Sequence, residues 1–355
     1  MSKALIAMSG GVDSSLAAKL TIDAGYDCIG CTMKLHDSKE DVTLEGRTCC
    51  SLSDVEDARS VAFKLGIPYY VFNFTEDFNA AVIKRFIESY EAGITPNPCI
   101  DCNRYMKFDK LFDKAKILEC NYVVTGHYAR IRETDGRYEL LKAADDSKDQ
   151  SYVLYSMSQY QLAHAMFPLG SLKKTEVRKM ATGFGFVNAS KPDSQDICFV
   201  PDGDYASFLA RTTGKDYPEG DFISEDGTVL GRHKGIIHYT IGQRKGLGIA
   251  LGVPMFVKEI RPKDGTVVLA PDKALYSKEA LCRDFNWISG TLPKEPVRCK
   301  AKIRYKHKEQ PATAIPLEDG MVRVEFDEPQ RAITPGQAAV LYDGDIVLGG
   351  GTIVP

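Results

Sequence analysis

The chain has 355 residues, 44% hydrophobic and 26% charged, too many for one ordinary core and suited to two or three globular domains. A net charge of −3 excludes a wholesale polycation but leaves room for a local basic face. No apolar run approaches the roughly 20 residues that span a bilayer, and the opening MSKALIAMSGG is broken by glycine too soon for a secretory leader, so a soluble, cytoplasmic protein with no membrane partner is expected.

The first half alternates strand and helix patterns. ALIAM (4–8) reads as a short buried strand, and 12–24 as a helix stopped by Gly25. YDCIGCTMKL (26–35) is a second strand. Ser53-Asp54-Val55-Glu56 has the form of a capping box opening a helix that runs to Gly66. IPYYVFNF (67–74) is a third strand, followed by a helix to about Gly93, a loop TPNPCIDCN (95–103), a helix over 104–119 and a fourth strand, YVVTG (122–126). This order predicts an α/β fold with a parallel sheet covered by helices on both faces. From about 205 glycine and proline become frequent, and GRHKGIIHYTIGQRKGLG (231–248) carries four Lys or Arg and no acid. From about 275 short strands and turns such as LEDGM and YDGD suggest a small β-barrel or sandwich. The expected division is 1–204, 205–274 and 275–355.

SGGVDSS (9–15) lies between the first strand and the first helix, where a phosphate belongs. A helix N-terminus offers unpaired N–H groups and a positive dipole end, and Gly10 and Gly11 let the backbone approach an anion closely. Ser9, Ser14 and Ser15 offer hydroxyls. Asp13 would repel a phosphate directly but suits a Mg²⁺ ion held against one. The Walker pattern is absent; the loop is similar to the PP-loop of ATP pyrophosphatases. Ala7, Met8, Ser9, Gly10, Gly11, Val12, Asp13 and Ser14 are therefore the candidate ATP contacts. Met33 and Gly126, at the ends of strands two and four, are read as an adenine wall and a clearance for ATP.

Ten cysteines at irregular spacings point to thiols or metal ligands more than to structural disulfides. Cys99 and Cys102 form a CxxC; Cys28 and Cys31 have the same spacing but sit in an apolar strand-like run, and the adjacent Cys49-Cys50 has the wrong spacing to complete a zinc site. A zinc site, a redox pair and a reactive thiol remain open on spacing alone. Placement favours a reactive Cys102, just before a predicted helix containing Arg104 and Lys107, which would favour thiolate. Cys198, in DSQDICFVPDG (193–203), is a second candidate thiol.

Together these segments closely resemble the bacterial tRNA-specific 2-thiouridylases. The resemblance runs over nearly the whole chain: SGGVDSS, TPNPCIDCN, VTGHYAR (124–130), KDQSYVL (148–154), DSQDICF (193–199), HYTIGQRKGLG (238–248), IRYKHK (303–308), TPGQAAVLY (334–342) and GGG (349–351). It implies a PP-loop catalytic domain of the adenine nucleotide α-hydrolase-like kind, a small central domain and a C-terminal β-barrel. It implies ATP and Mg²⁺ as cofactors and the tRNAs for lysine, glutamate and glutamine as substrates. The C2 oxygen of the wobble uridine is adenylated, then replaced by sulfur. A cysteine desulfurase or a sulfur-relay protein is implied as sulfur donor. Carried over by position, Cys102 is the nucleophile and Cys198 carries the persulfide, with a disulfide between them when sulfur leaves. Asn97, Pro98 and Cys99 face the target base, which must leave its stack. His127, Lys148, Asp149, Gln150, Arg304, Tyr305 and Gln337 contact tRNA.

One departure is visible. Well-studied members carry aspartate, proposed as an acid or base, where this chain has Cys99. Three thiols, Cys99, Cys102 and Cys198, are also the number that holds a 4Fe-4S cluster with one iron open. A persulfide relay and a cluster-bound sulfide both stand as expectations.

In KAKIRYKHK (300–308), Lys300, Lys302, Arg304, Lys306 and Lys308 alternate with other residues, so a strand would put all five on one face for a phosphate backbone or as edge protection. Trp287 is expected in the barrel core, and His164 on a helix face. Two rival functions are another PP-loop ligase, which leaves the thiols and basic stripe idle, and a non-catalytic RNA-binding iron–sulfur protein.

Overall fold

The computed structural model describes residues 1–36, 52–193 and 197–355. The Cys49-Cys50 pair and Ser194, Gln195 and Asp196 of the DSQDICF motif lie outside the described residues.

The first part of the chain supplies β1 (Lys3–Ala7), β2 (Asp27–Lys34), β3 (Tyr69–Asn73), β4 (Tyr122–Val124), β5 (Arg130–Thr134), β6 (Arg137–Leu141) and β7 (Ala165–Met166). Five of them make a parallel sheet in the order β3-β2-β1-β4-β7. Period-two alternation sorts the side chains of β1. Ala4 and Ile6 face α1 (Val12–Asp23) and α2 (Leu52–Leu65), while Leu5 faces a second core with Phe78, Phe86, Phe108 and Phe112 from the helical stretches between β3 and β4. Helices therefore cover both faces, as the sequence pattern predicts. The predicted helix over 104–119 begins earlier: Pro98 occupies its first turn, where a fixed φ and a missing N–H cost nothing, and Asn97 stands at the N-cap. Cys102 thus lies inside this helical stretch, not ahead of it.

The strands β5 and β6 were not anticipated. They form a hairpin through Asp135 (φ 51°) and Gly136 (φ 73°), the two-residue turn with both φ values positive. The central part folds on its own small core of Phe222, Tyr239, Leu247, Val257, Val267 and Leu269. Its sheet contains β8 (Gly220–Ile223), β9 (Val229–His233), β10 (Phe256–Arg261) and β11 (Thr266–Ala270).

The last part supplies β12 (Tyr276–Trp287), β13 (Val297–Lys302), β14 (Gln310–Pro316), β15 (Val322–Arg331), β16 (Ala338–Asp343) and β17 (Ile346–Ile353). Pairing of β12 with β17 closes these six strands into a barrel, with Trp287 in its core as expected. The other half of β17 pairs with β6, through Leu140 opposite Val347 and Leu141 opposite Ile346. The nucleotide-type sheet and the barrel are thus stitched together by the hairpin. Among the described residues no helix is long and apolar enough to cross a membrane.

Candidate functional site

The strand order reverses direction about β1: β2 lies on one side and β4 on the other. Ligands of such sheets sit beyond the C-terminal ends of the strands flanking this switch. Those ends carry Ser9-Gly10-Gly11 and Thr125-Gly126-His127. Gly10 has φ 73°, and a Cβ there would stand 2.3 Å from the Asp54 carbonyl oxygen, so only glycine fits this turn. A Cβ on Gly126 would stand 2.8 Å from the Ser14 nitrogen; the room this glycine makes is taken by the first turn of α1 itself. The hydroxyls of Ser14 and Ser15 both donate to the Gly11 carbonyl, at 3.0 Å each, and so brace the loop. Asn188, 3% exposed, donates to the Gly10 carbonyl (2.8 Å) and to Ser15 Oγ (2.9 Å). Met33 is buried in β2, and Met8 and Val12 are buried with α1; Ala7 ends β1 half-buried.

Asp13 is the centre of an ionic network. Its Oδ1 accepts from the Tyr128 hydroxyl (2.7 Å) and from Lys174 Nζ (2.8 Å), and its Oδ2 from the same Nζ (2.7 Å). Lys174 also reaches Asp193 Oδ1 at 2.8 Å. Asp193 further accepts from Lys148 (2.8 Å) and Arg178 (2.9 Å). Burial alone would raise the Asp193 carboxyl, but hydrogen bonds from Lys148 and Lys174 outweigh it and hold the group at about 2. Burial, then the Asp13 charge, pushes the Tyr128 phenol far up, so it acts as a donor throughout the physiological range. The residues fit a nucleotide: a glycine turn, a helix N-terminus and three cations converge. A magnesium ion at Asp13 would take an oxygen that Lys174 now holds. Lys174, Arg178 and Asn188 escaped the sequence reading, since nothing in their local spacing marks them. Tyr128 and Asp193 lie inside VTGHYAR and DSQDICF but were not singled out.

The loop bearing Asn97, Pro98 and Cys99 is clasped by the barrel. Gln337 Nε2 donates to the Thr95 carbonyl at 2.9 Å, and the Thr95 N–H donates to the Pro335 carbonyl at 3.1 Å. Gly336, with φ 90°, lies so close that a Cβ would meet Ile94 Cγ2 at 2.3 Å. Inside the helix that follows, Asn103 Nδ2 donates to the Cys99 carbonyl (2.9 Å). Asp101 turns to Arg85 (3.5 Å), and burial raises its carboxyl against the pull of Arg85 and Arg104. Cys99 is exposed, while Cys102 and Cys198 are half-buried and pack against one shared core. None of the three is in a disulfide. Among the described residues no group of three or more His, Cys, Asp or Glu is placed to hold a metal ion.

Lys148, Asp149 and Gln150 link the two ends. Lys148 pairs with Asp193, Gln150 Oε1 accepts from the Tyr128 N–H (2.9 Å), and the Asp149 carbonyl accepts from the Tyr305 hydroxyl (3.0 Å). His127 is 7% exposed, with Thr125 Oγ1 2.7 Å from Nδ1 and Lys107 Nζ 3.5 Å from Nε2. Burial, then the Lys107 charge, holds its imidazole well below the ordinary range, so it is neutral.

The alternating cations do not share one strand face. β13 ends at Lys302; Arg304 lies in the bend with the buried Ile303, Lys306 in the turn after it, and Lys308 in the irregular segment that leads to β14. Lys302 lies about equally far from the rings of Tyr152, Tyr305 and Tyr342, 5.8, 6.0 and 5.9 Å, and burial lowers its pKa. Arg304 donates to the Arg331 carbonyl at 3.4 Å. Lys300, Lys306 and Lys308 are exposed.

Comparison with known proteins agrees with this architecture. Residues 2–202 match the tRNA methyl transferase HUP domain, 206–271 the tRNA methyl transferase PRC-barrel domain, and 277–353 the aminomethyltransferase beta-barrel domain. The chain is 53% identical over 354 residues to the tRNA-specific 2-thiouridylase MnmA of Acetivibrio thermocellus, covering 99% of both chains. It is 52% identical to that of Clostridioides difficile, covering 99% of this chain and 98% of the relative. Identity to that of Clostridium perfringens is 48%, again over 99% and 98%. The chain belongs to the tRNA-specific 2-thiouridylase family.

Proposed function

We propose that this member of the family uses ATP to replace the C2 oxygen of the wobble uridine with sulfur in the tRNAs for lysine, glutamate and glutamine. The observation that carries the reading is the bridge formed by Lys148–Gln150. This segment bonds Asp193 and Tyr128 at the nucleotide end and Tyr305 of the barrel. That link supports adenylation and RNA binding acting on one substrate.

The Gly10-Gly11 turn and the start of α1 take the phosphates of ATP, and Asp13 is the carboxylate for Mg²⁺. The C2 oxygen of the flipped base attacks the α-phosphate, and pyrophosphate leaves. This turns a poor oxygen leaving group into AMP. The outer sulfur of a Cys198 persulfide then bonds to C2 and AMP departs with its electron pair. The Cys102 thiolate attacks the Cys198 sulfur, the S–S bond to the substrate breaks, and its electrons complete the C2 thiocarbonyl. A Cys102–Cys198 disulfide remains, which a thiol reductant opens before a desulfurase or relay protein reloads Cys198. Asn97, Pro98 and Cys99 line the base pocket. Arg304, Tyr305 and Gln337 build the RNA side, Arg304 and Gln337 partly by holding protein segments together. His127 supports the pocket wall as a buried neutral ring.

The test is formation of AMP and 2-thiouridine from ATP, a persulfide donor and unmodified tRNA. AMP that appears only with tRNA, with matching 2-thiouridine in the digested RNA, supports the reading. AMP made without tRNA would point to another PP-loop ligase. Bound tRNA with neither product would point to a binding protein. Protein purified without oxygen should carry no iron; about four irons per chain, lost in Cys99→Ala, would replace the persulfide arm.

A further inference from the structure

We propose that Lys174 is the cation that receives the nucleotide's phosphates, and that Asp13 and Asp193 hold it in reserve until they arrive. The inference rests on the ATP reading above and names a residue that reading does not include.

Position is the first argument. Asp13 is the second residue of α1, and Lys174 Nζ lies 2.8 and 2.7 Å from its two oxygens. The ammonium is therefore one hydrogen bond away from the helix end where an anion is favoured. Its tether is anchored: the Lys174 backbone N–H donates to Asp145 Oδ2 at 2.9 Å, so the side chain's tip can turn while its base stays fixed.

Valence is the second. A lysine has three N–H donors, and all three have acceptors in Asp13 Oδ1, Asp13 Oδ2 and Asp193 Oδ1. A phosphate cannot simply be added; it must be exchanged for a carboxylate. Neither carboxylate is stranded by that exchange. Asp193 keeps Lys148 and Arg178, and Asp13 keeps the Tyr128 hydroxyl and the positive end of α1.

The third argument is energetic. Lys174 is 8% exposed, and burying a charge pair is weak evidence of a stabilising role, because desolvation offsets most of the attraction. A reserve function accounts for a buried ammonium shared by two carboxylates beside a phosphate-type loop.

The experiment is equilibrium dialysis of the full chain with ATP and, separately, with adenosine, in magnesium buffer and without tRNA. Lys174→Gln should weaken ATP roughly ten- to a hundredfold and leave adenosine unchanged. Lys174→Arg should recover most of the ATP affinity. Asp193→Asn, which removes one competitor and keeps the ammonium, should tighten ATP binding several-fold and supplies a variant that does not depend on Lys174→Gln folding. If ATP and adenosine weaken together in Lys174→Gln, or if Asp193→Asn weakens ATP, Lys174 is only a structural ion pair and the inference fails. Unchanged ATP affinity in Lys174→Gln overturns it alone, with the ATP reading intact. Wild-type protein that binds no ATP overturns both.

Discussion

The two ends of the site are held by different chemistry. At the nucleotide end, the main links between segments are ionic: Asp13, Lys174, Asp193, Lys148 and Arg178 form a chain of charge-assisted bonds at 2.7–2.9 Å. At the barrel end, the loop carrying Asn97–Cys99 is held by a backbone bond, an amide side chain and the close approach of Gly336. Ionic links can trade partners when another anion arrives. A neutral clasp fixes a shape that RNA can be read against. The comparison implies that ATP should rearrange one end and leave the other alone.

The sharpest break concerns the sulfur step. Cys198→Ser should give no 2-thiouridine and no AMP, while pyrophosphate is still released as tRNA is adenylated; a normal yield of 2-thiouridine in digested tRNA would remove Cys198 from the chemistry. Asp13→Ala should cut AMP formation by roughly 10²–10³-fold, with tRNA affinity unchanged by filter binding. If tRNA affinity falls equally, the ends are not separable. Reversing Lys300, Lys306 and Lys308 to glutamate should weaken tRNA binding and lower the slope of log affinity against log salt by up to about 3, one per lost phosphate contact. ATP affinity should not move, and an unaltered slope would make these lysines edge protection. Gln337→Ala removes one amide clasp and should cost about 1 kcal/mol in denaturant unfolding, with a larger loss in tRNA affinity than in ATP affinity.

The smallest effect is on pH. Burial, helped by the Lys107 charge, lowers His127; burial, helped by Arg304 and Lys302, lowers His307. Unfolded imidazoles take up protons near 6.5 that these folded ones refuse, so stability should decline as pH falls through that value. Thermal unfolding followed from pH 7.5 to 5 checks the sign, and a rising midpoint would contradict it.

What the sequence disclosed follows the range of each interaction. The Gly10 turn, the start of α1 and the alternation of β1 are decided by neighbours in the chain, and motif and period reveal them. Lys174 meets Asp13 across 161 positions, and an ordinary-looking helix start gives no hint of the meeting. The basic run at 300–308 misled because alternation was extended past the real end of β13, where Ile303 enters the core and the chain bends. The β5–β6 hairpin had a legible Asp-Gly turn, yet its second strand pairs with β17 at the far end of the chain.

That last pairing has a consequence for biosynthesis. Leu140 waits for Val347, about 200 residues later, and pairings of such high contact order form slowly. At ordinary elongation rates the outer edge of β6 stays open for about 10–40 s. A nascent chain therefore leaves the ribosome with a bare strand edge on its nucleotide-type half, a natural client surface for chaperones and a point where a truncated product would aggregate.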